Sequence, residues 1–143
     1  MNARIFLSRA WNFELQVQSK LEQIEALKSL ACRVNNGFGT EKVSASRNPS
    51  SMEDVILRIM ELEGDLNRRI DELVAIKREI ARTIDMVEDV NLRLILEKRY
   101  LSFLPWEQIA VDLHYTGRWL RDKHVEALRA VQRILDEREE NGG

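Results

Sequence analysis

The chain has 143 residues with 44% hydrophobic and 32% charged side chains, only 6 Gly and 2 Pro, and a formal net charge of -2. That length suits one ordinary domain or two small ones, and a mixture rich in Leu, Ile, Glu, Arg and Lys excludes a sheet protein in favour of an all-α, partly elongated one. Near-neutral charge excludes a global basic field, so nucleic-acid contact has to come from a local patch. The single Cys32 excludes an internal disulfide and fits a reducing compartment. No uncharged run approaches the roughly 18 residues that cross a bilayer, and Ile5-Phe6-Leu7 is too short for a signal-peptide core, so a cytoplasmic chain is expected.

The first helix is expected from about Ala3 to Ala31. Phe6, Ala10, Phe13, Val17, Leu21, Ile24, Leu27 and Ala31 step by three and four without a Gly or Pro between them. Leu7, Trp11 and Leu15 widen the stripe, and Trp11 reads as a core anchor rather than a ligand-stacking ring. From Arg33 to Ser51 the period disappears into Asn, Gly, Ser, Thr and Pro, which predicts a mobile loop. Its Arg33, Lys42 and Arg47 read as charges on a solvated linker before they read as a phosphate-contacting arm.

A second long helix is announced by two overlapping capping boxes, Ser50 with Glu53 and Ser51 with Asp54. Ile59, Leu62 or Glu63, Leu66, Ile70, Leu73, Lys77, Ile80, Ile84 and Val87 then alternate by four and three, the seam of a coiled-coil-like helix about 50 Å long. Its partner is either the first helix, folded back as an antiparallel hairpin, or the same helix in a second subunit. Similar lengths favour the hairpin, and a homodimer is compatible with it. The carboxylates on its outer side alternate with Arg68, Arg69, Arg78 and Arg82, as on a solvated, salt-bridged surface. The helix carries no histidine, so a di-metal site of the bundle type is not expected.

Met86 to Asp89 breaks the pattern, and Asp89 is placed to cap a third helix reaching about Phe103. Val90, Leu94 and Leu101 are expected on one side of it, with Ile95, Tyr100 and Phe103 widening the apolar surface. Pro105 then opens a short helix whose Trp106, Ile109, Ala110 and Leu113 share a face. His114 and Tyr115 interrupt, and Thr116 offers a cap for a further helix over about 117–137. Leu120, His124, Ala127, Val131 and Ile134 form its stripe, with Leu128 and Leu135 alongside. Two helices, a short turn and positive charge at the start of the second is the layout of a helix-turn-helix reader of double-stranded DNA. The expected organisation is a helical hairpin over 1–88, a reader over 89–138 and a frayed tail over 139–143.

Helical phase assigns the roles in this reader. Arg118 and Arg121 project outward and suit bidentate contact with guanine edges or phosphate. Thr116, Lys123 and Arg129 are placed for phosphate. Trp119 either meets a thymine methyl or packs inward, and Asp122 either selects a cytosine or pairs with Arg118. His124 reads as a satisfied residue at the edge of the core. No nucleophile–base pair, metal-ligand spacing or phosphate-binding Gly loop occurs, so neither enzymatic activity nor a cofactor is expected.

Arg99-Tyr100-Leu101, Trp106-Glu107-Gln108-Ile109-Ala110, Leu113, Leu120 and Ala127-Leu128 together resemble region 4 of the sigma factors of RNA polymerase. The order of blocks Ser46–Asp54, Ile70–Ile80 and Tyr100–Leu128 is similar to a family of small phage-encoded proteins of Gram-positive bacteria related to the ArpU and RinA late transcription regulators. The resemblance implies a sequence-specific DNA-binding regulator of phage or prophage genes, acting in the bacterial cytoplasm without cofactor or catalysis. The chain departs from the family pattern twice. His114 stands where relatives carry Gly in the turn, a place where His tolerates a positive φ at some strain. Trp119 and Arg121 also differ, which implies a different DNA sequence. Two other readings fit the same layout: a small-terminase-like DNA-packaging protein, and a sigma-like adaptor that docks RNA polymerase without reading DNA.

Overall fold

The computed structural model describes residues 1–36 and 51–142. Among these the chain is all-α, with no strand: α1 Ala3–Asn36, α2 Ser51–Asp85, α3 Val90–Leu96 continued by a π-helical turn Glu97–Leu101, α4 Trp106–Leu113 and α5 Gly117–Gly142. No helix among the described residues is long and apolar enough to cross a membrane. Most of the expected 33–51 loop, with Lys42, Arg47 and the capping Ser50, lies outside the described residues. Helix α1 continues past Ala31 to Asn36, and Cys32 on it is a free, exposed thiol.

The chain divides into two compact units, Met1–Asn12 with Leu73–Gly143, and Phe13–Glu72. The division therefore falls inside the two long helices, and not at residue 88, where the change of periodicity suggested a boundary. Helices α1 and α2 form the long antiparallel hairpin. In the unit Phe13–Glu72, Val17 and Ile24 of α1 and Leu62 and Leu66 of α2 are buried, and Lys28 Nζ lies 3.7 Å from a Glu63 carboxylate oxygen. In the other unit Arg9 meets Glu79 at 3.1 Å, beside the buried Phe6, Leu7, Ala10, Leu73, Ile80 and Ile84. Leu62, and not Glu63, occupies the seam. The expected stripes are wider than the buried ones, since Leu15, Leu21 and Ile70 stay exposed. A single partner helix covers only a narrow stripe of its neighbour. Trp11 is likewise half-exposed, its ring resting on Phe103 at 5.2 Å instead of anchoring a core.

Asp89 caps α3 as its sequence position predicts, its carboxylate accepting the Asn91 and Leu92 N–H groups at 2.8 and 3.3 Å. The buried side of α3 differs from the expected one. Leu92, Ile95 and Leu96 face inward, and Val90 is exposed. Beyond Leu96 the helix widens: Ser102 N–H donates to Glu97 O and Leu104 N–H to Lys98 O, both at 3.0 Å. The wider turn shifts the later side chains relative to an α-helical count, and it buries Tyr100 while Leu101 stays only partly covered. Phe103 closes the turn at a left-handed φ of 57°, with the Lys77 ammonium 4.8 Å from its ring centre.

Pro105 is the N-cap of α4, one residue earlier than the first-turn place expected for it. His114 ends α4 in the left-handed region, φ 59° and ψ 40°, and Tyr115 N–H returns to Ala110 O at 3.0 Å. Thr116 caps α5, its hydroxyl accepting Trp119 N–H at 3.1 Å. Helix α5 does not fray near 137 but continues to Gly142. Leu135 on this last part is buried. Gln132 accepts Ala3 N–H at 2.8 Å and donates to Met1 O at 2.9 Å, so the start of α1 is fastened to α5.

His114 is exposed and holds a backbone conformation that costs an L-residue about 1 to 2 kcal/mol. Glycine adopts it freely but loses more chain entropy on folding. His114→Gly is therefore expected to raise stability by up to about 1 kcal/mol, read as a higher urea midpoint at unchanged slope.

Candidate nucleic-acid interface

The module formed by α3, α4 and α5 is assembled on Ile95, Ile109 and Leu120, all essentially buried, with Leu104, Trp106, Ala110, Leu113 and Tyr115 packed around them. Helix α5 buries Leu120, His124, Ala127, Val131 and Leu135. With about 100° between successive helical residues, the opposite face carries Arg118, Asp122, Val125 and Arg129, and Arg121 stands at its edge. All five are exposed. Arg118 and Asp122 are not within ion-pair distance, and among the described residues no carboxylate pairs with Arg118, Arg121 or Arg129.

The other expected contacts are placed differently. The Thr116 hydroxyl is engaged in capping. Trp119 is half-exposed on the flank, edge-on to Tyr115 at 6.1 Å, in the turn and not on the preceding helix. The Lys123 ammonium lies 4.7 Å from the Trp119 ring centre and 3.4 Å from Glu126, so Lys123 is partly buried and drawn off the outward face.

His124 is a core residue, as its place in the stripe predicts. Its Nε2 lies 2.7 Å from the Tyr100 hydroxyl, and Trp106 meets its ring edge-on at 4.5 Å. Burial pushes the His124 pKa down from 6.5 to about 4, and the positive charges of Arg4 and Arg99 push the same way. Burial raises the Tyr100 pKa, partly offset by the same two arginines. Both groups are therefore uncharged, and the Tyr100 hydroxyl and His124 Nε2 share one hydrogen bond between a neutral phenol and a neutral imidazole.

Beside this pair lies a concavity of about 700 Å³, walled by Arg4 and Ser8 of α1, Arg99 and Tyr100 of the π turn, Trp106, Glu107 and Ala110 of α4, and Gly117, Leu120, Arg121 and His124 of α5. Arg99 is held in place, its guanidinium 4.7 Å from the Trp106 ring centre and donating to Leu104 O at 3.0 Å. Of the residues singled out from the sequence as contacts, only Arg121 lines this concavity. Arg4, Ser8 and Arg99 were not legible as its neighbours, because Arg4 is 117 residues from Arg121 in the chain and has no periodic or motif signal of its own. For Arg99 the one available signal was its position beside Tyr100, just before the reader.

Among the described residues no group of three or more His, Cys, Asp or Glu side chains is placed to hold a metal ion. No protein-family model matches the chain, and no match to it was found among curated proteins or solved structures.

The depressed His124 pKa makes stability depend on pH with a definite sign. The unfolded imidazole takes up a proton near 6.5 and the folded one only near 4. The stabilisation is complete above about 6.5 and is lost as the pH falls toward 4. In urea titrations at about pH 7 and pH 5, the wild type is expected to lose stability at the lower pH, and His124→Gln to show a smaller loss.

Proposed function

We propose that this protein is a sequence-specific DNA-binding transcription regulator of phage or prophage genes, with the first turns of α5 in the major groove. The single observation that carries the reading is the outward face of α5. Arg118 and Arg129 stand exposed opposite a buried stripe that fixes the helix in place, Arg121 stands at the edge of that face, and none of the three has a carboxylate partner among the described residues. Guanidinium groups so placed match guanine edges and phosphates bidentately. The Asp122 carboxylate on the same face adds a possible acceptor for a cytosine amino group and a penalty against phosphate. The left-handed turn at His114 and the Thr116 cap give the two helices the junction expected of a helix-turn-helix.

The reading includes a protein partner for the hairpin. Ile56, Leu57 and Met60 are exposed together on α2 within the unit Phe13–Glu72. Large apolar side chains grouped this way favour association, and a second copy of the chain is the partner the reading assigns, with RNA polymerase the other member of the class.

Selection of random duplexes by the purified protein tests the proposal. Enrichment of one motif is expected, and Arg118→Ala and Arg121→Ala are each expected to weaken binding to that motif by about tenfold or more, at about 1 to 3 kcal/mol per base contact. Salt-sensitive binding to every duplex alike, with no enriched motif, would contradict sequence reading and favour packaging of DNA. Absence of duplex binding would leave the polymerase-docking adaptor.

A further inference from the structure

The concavity beside α5 has a charge that the reader's own two helices do not supply. Its walls carry the guanidinium groups of Arg4, Arg99 and Arg121 and the single carboxylate of Glu107, three positive charges against one negative, or a balance of +2. Among the described residues none of these three arginines forms an ion pair. Like charges gather in this way at a cost that a bound anion removes. Arg4 and Arg99 line the same concavity as the buried His124. Gly117 and Trp106, at the starts of α5 and α4, are also on the wall, so the positive ends of two helix dipoles adjoin the same space.

We propose that this concavity seats a backbone phosphate of duplex DNA, so that Arg4 of α1 and Arg99 of the π turn form a phosphate clamp with Arg121 at the side of the recognition helix. The inference rests on the reading of α5 as a DNA reader and deepens it. Arg121 decides between a duplex and a small phosphorylated molecule as the source of the phosphate. It borders both the concavity and the outward face of α5, so a strand followed from one reaches the other without a gap. Phosphate contacts of this kind fix register and orientation and carry no sequence information. The clamp thus makes the first turn of α1 a part of the DNA-binding surface.

Arg4 is the residue to test, since it is exposed and unpaired, whereas Arg99 also holds Trp106 and Leu104. The measurement is affinity of the full chain for a selected duplex and for an unrelated duplex as a function of salt, in wild type and Arg4→Gln, with thermal melts to establish that both are folded. Arg4→Gln is expected to weaken both duplexes by a similar factor, about five- to tenfold at low salt, and to reduce the slope of log K against log salt by about 0.9. Glu107→Gln is expected to act in the opposite direction on both. Unchanged affinity and slope in a folded Arg4→Gln protein overturn the clamp while the reading of α5 stands. If inorganic pyrophosphate shifts the His124 ring signals of the wild type and duplex binding ignores Arg4, the site takes a free phosphorylated molecule and the clamp is again overturned. A wild type that binds no duplex overturns the clamp and the reading together.

Discussion

The hydrogen bond between Tyr100 and His124 ties the module of α3, α4 and α5 together. It joins the π turn after α3 to the second turn of α5 across 24 residues, at 2.7 Å between two buried side chains. Without this bond a buried polar group of the pair would be left unsatisfied, which costs about 1 to 3 kcal/mol. The bond therefore selects one rotation of α5 over its neighbours. That rotation sends Leu120, Ala127 and Val131 inward with His124 and leaves Arg118, Asp122 and Arg129 outside. Burial holds His124 neutral, so the contact is a hydrogen bond to an uncharged ring and not an ion pair.

The π turn is what brings Tyr100 to this bond. The same widening places Arg99 against Trp106, and the left-handed Phe103 lets the chain turn back into α4. A local irregularity in α3 thus determines the wall of the concavity that α4 and α5 complete. It also reconciles a chain of net charge -2 with the anion-binding role proposed for that concavity. Positive charge is concentrated by folding, from residues as far apart as Arg4 and Arg121, while many acidic groups are spent on ion pairs along the hairpin, such as Glu63 with Lys28 and Glu79 with Arg9.

The sequence made local features plain wherever one residue's chemistry decides the backbone. Asp89 and Thr116 cap their helices because an oxygen two or three residues ahead of free N–H groups has a clear use there. The turn at His114 was visible as a break in the apolar period, and His tolerates the positive φ found there. The stripe of α5 was readable from Leu120 to Val131 because a sustained period admits a single phase, but its last buried residue is Leu135 and not Ile134, which is only partly covered. Other features were set by tertiary packing. Nothing in Glu97–Leu101 distinguishes a π turn from an α turn, and an α-helical count then puts Val90 and Leu94 on the inner side with Ile95, where the structure buries Leu92 and Leu96 beside it. Trp11 looked like a core anchor because a large ring is usually covered, yet here Phe103 shields only part of it. The exposed residues of α5 proposed to meet DNA could be singled out one by one, whereas Arg4 and Arg99 became candidates only when folding placed them beside Arg121.

The central claim is that the outward face of α5 is the surface that meets DNA. Mapping backbone and arginine side-chain NMR shifts on adding a selected duplex tests it most directly. The account predicts changes centred on Thr116–Arg129, with Arg4 and Arg99 beyond it. Changes confined to Ile56, Leu57 and Met60 on α2, with α5 silent, would contradict it.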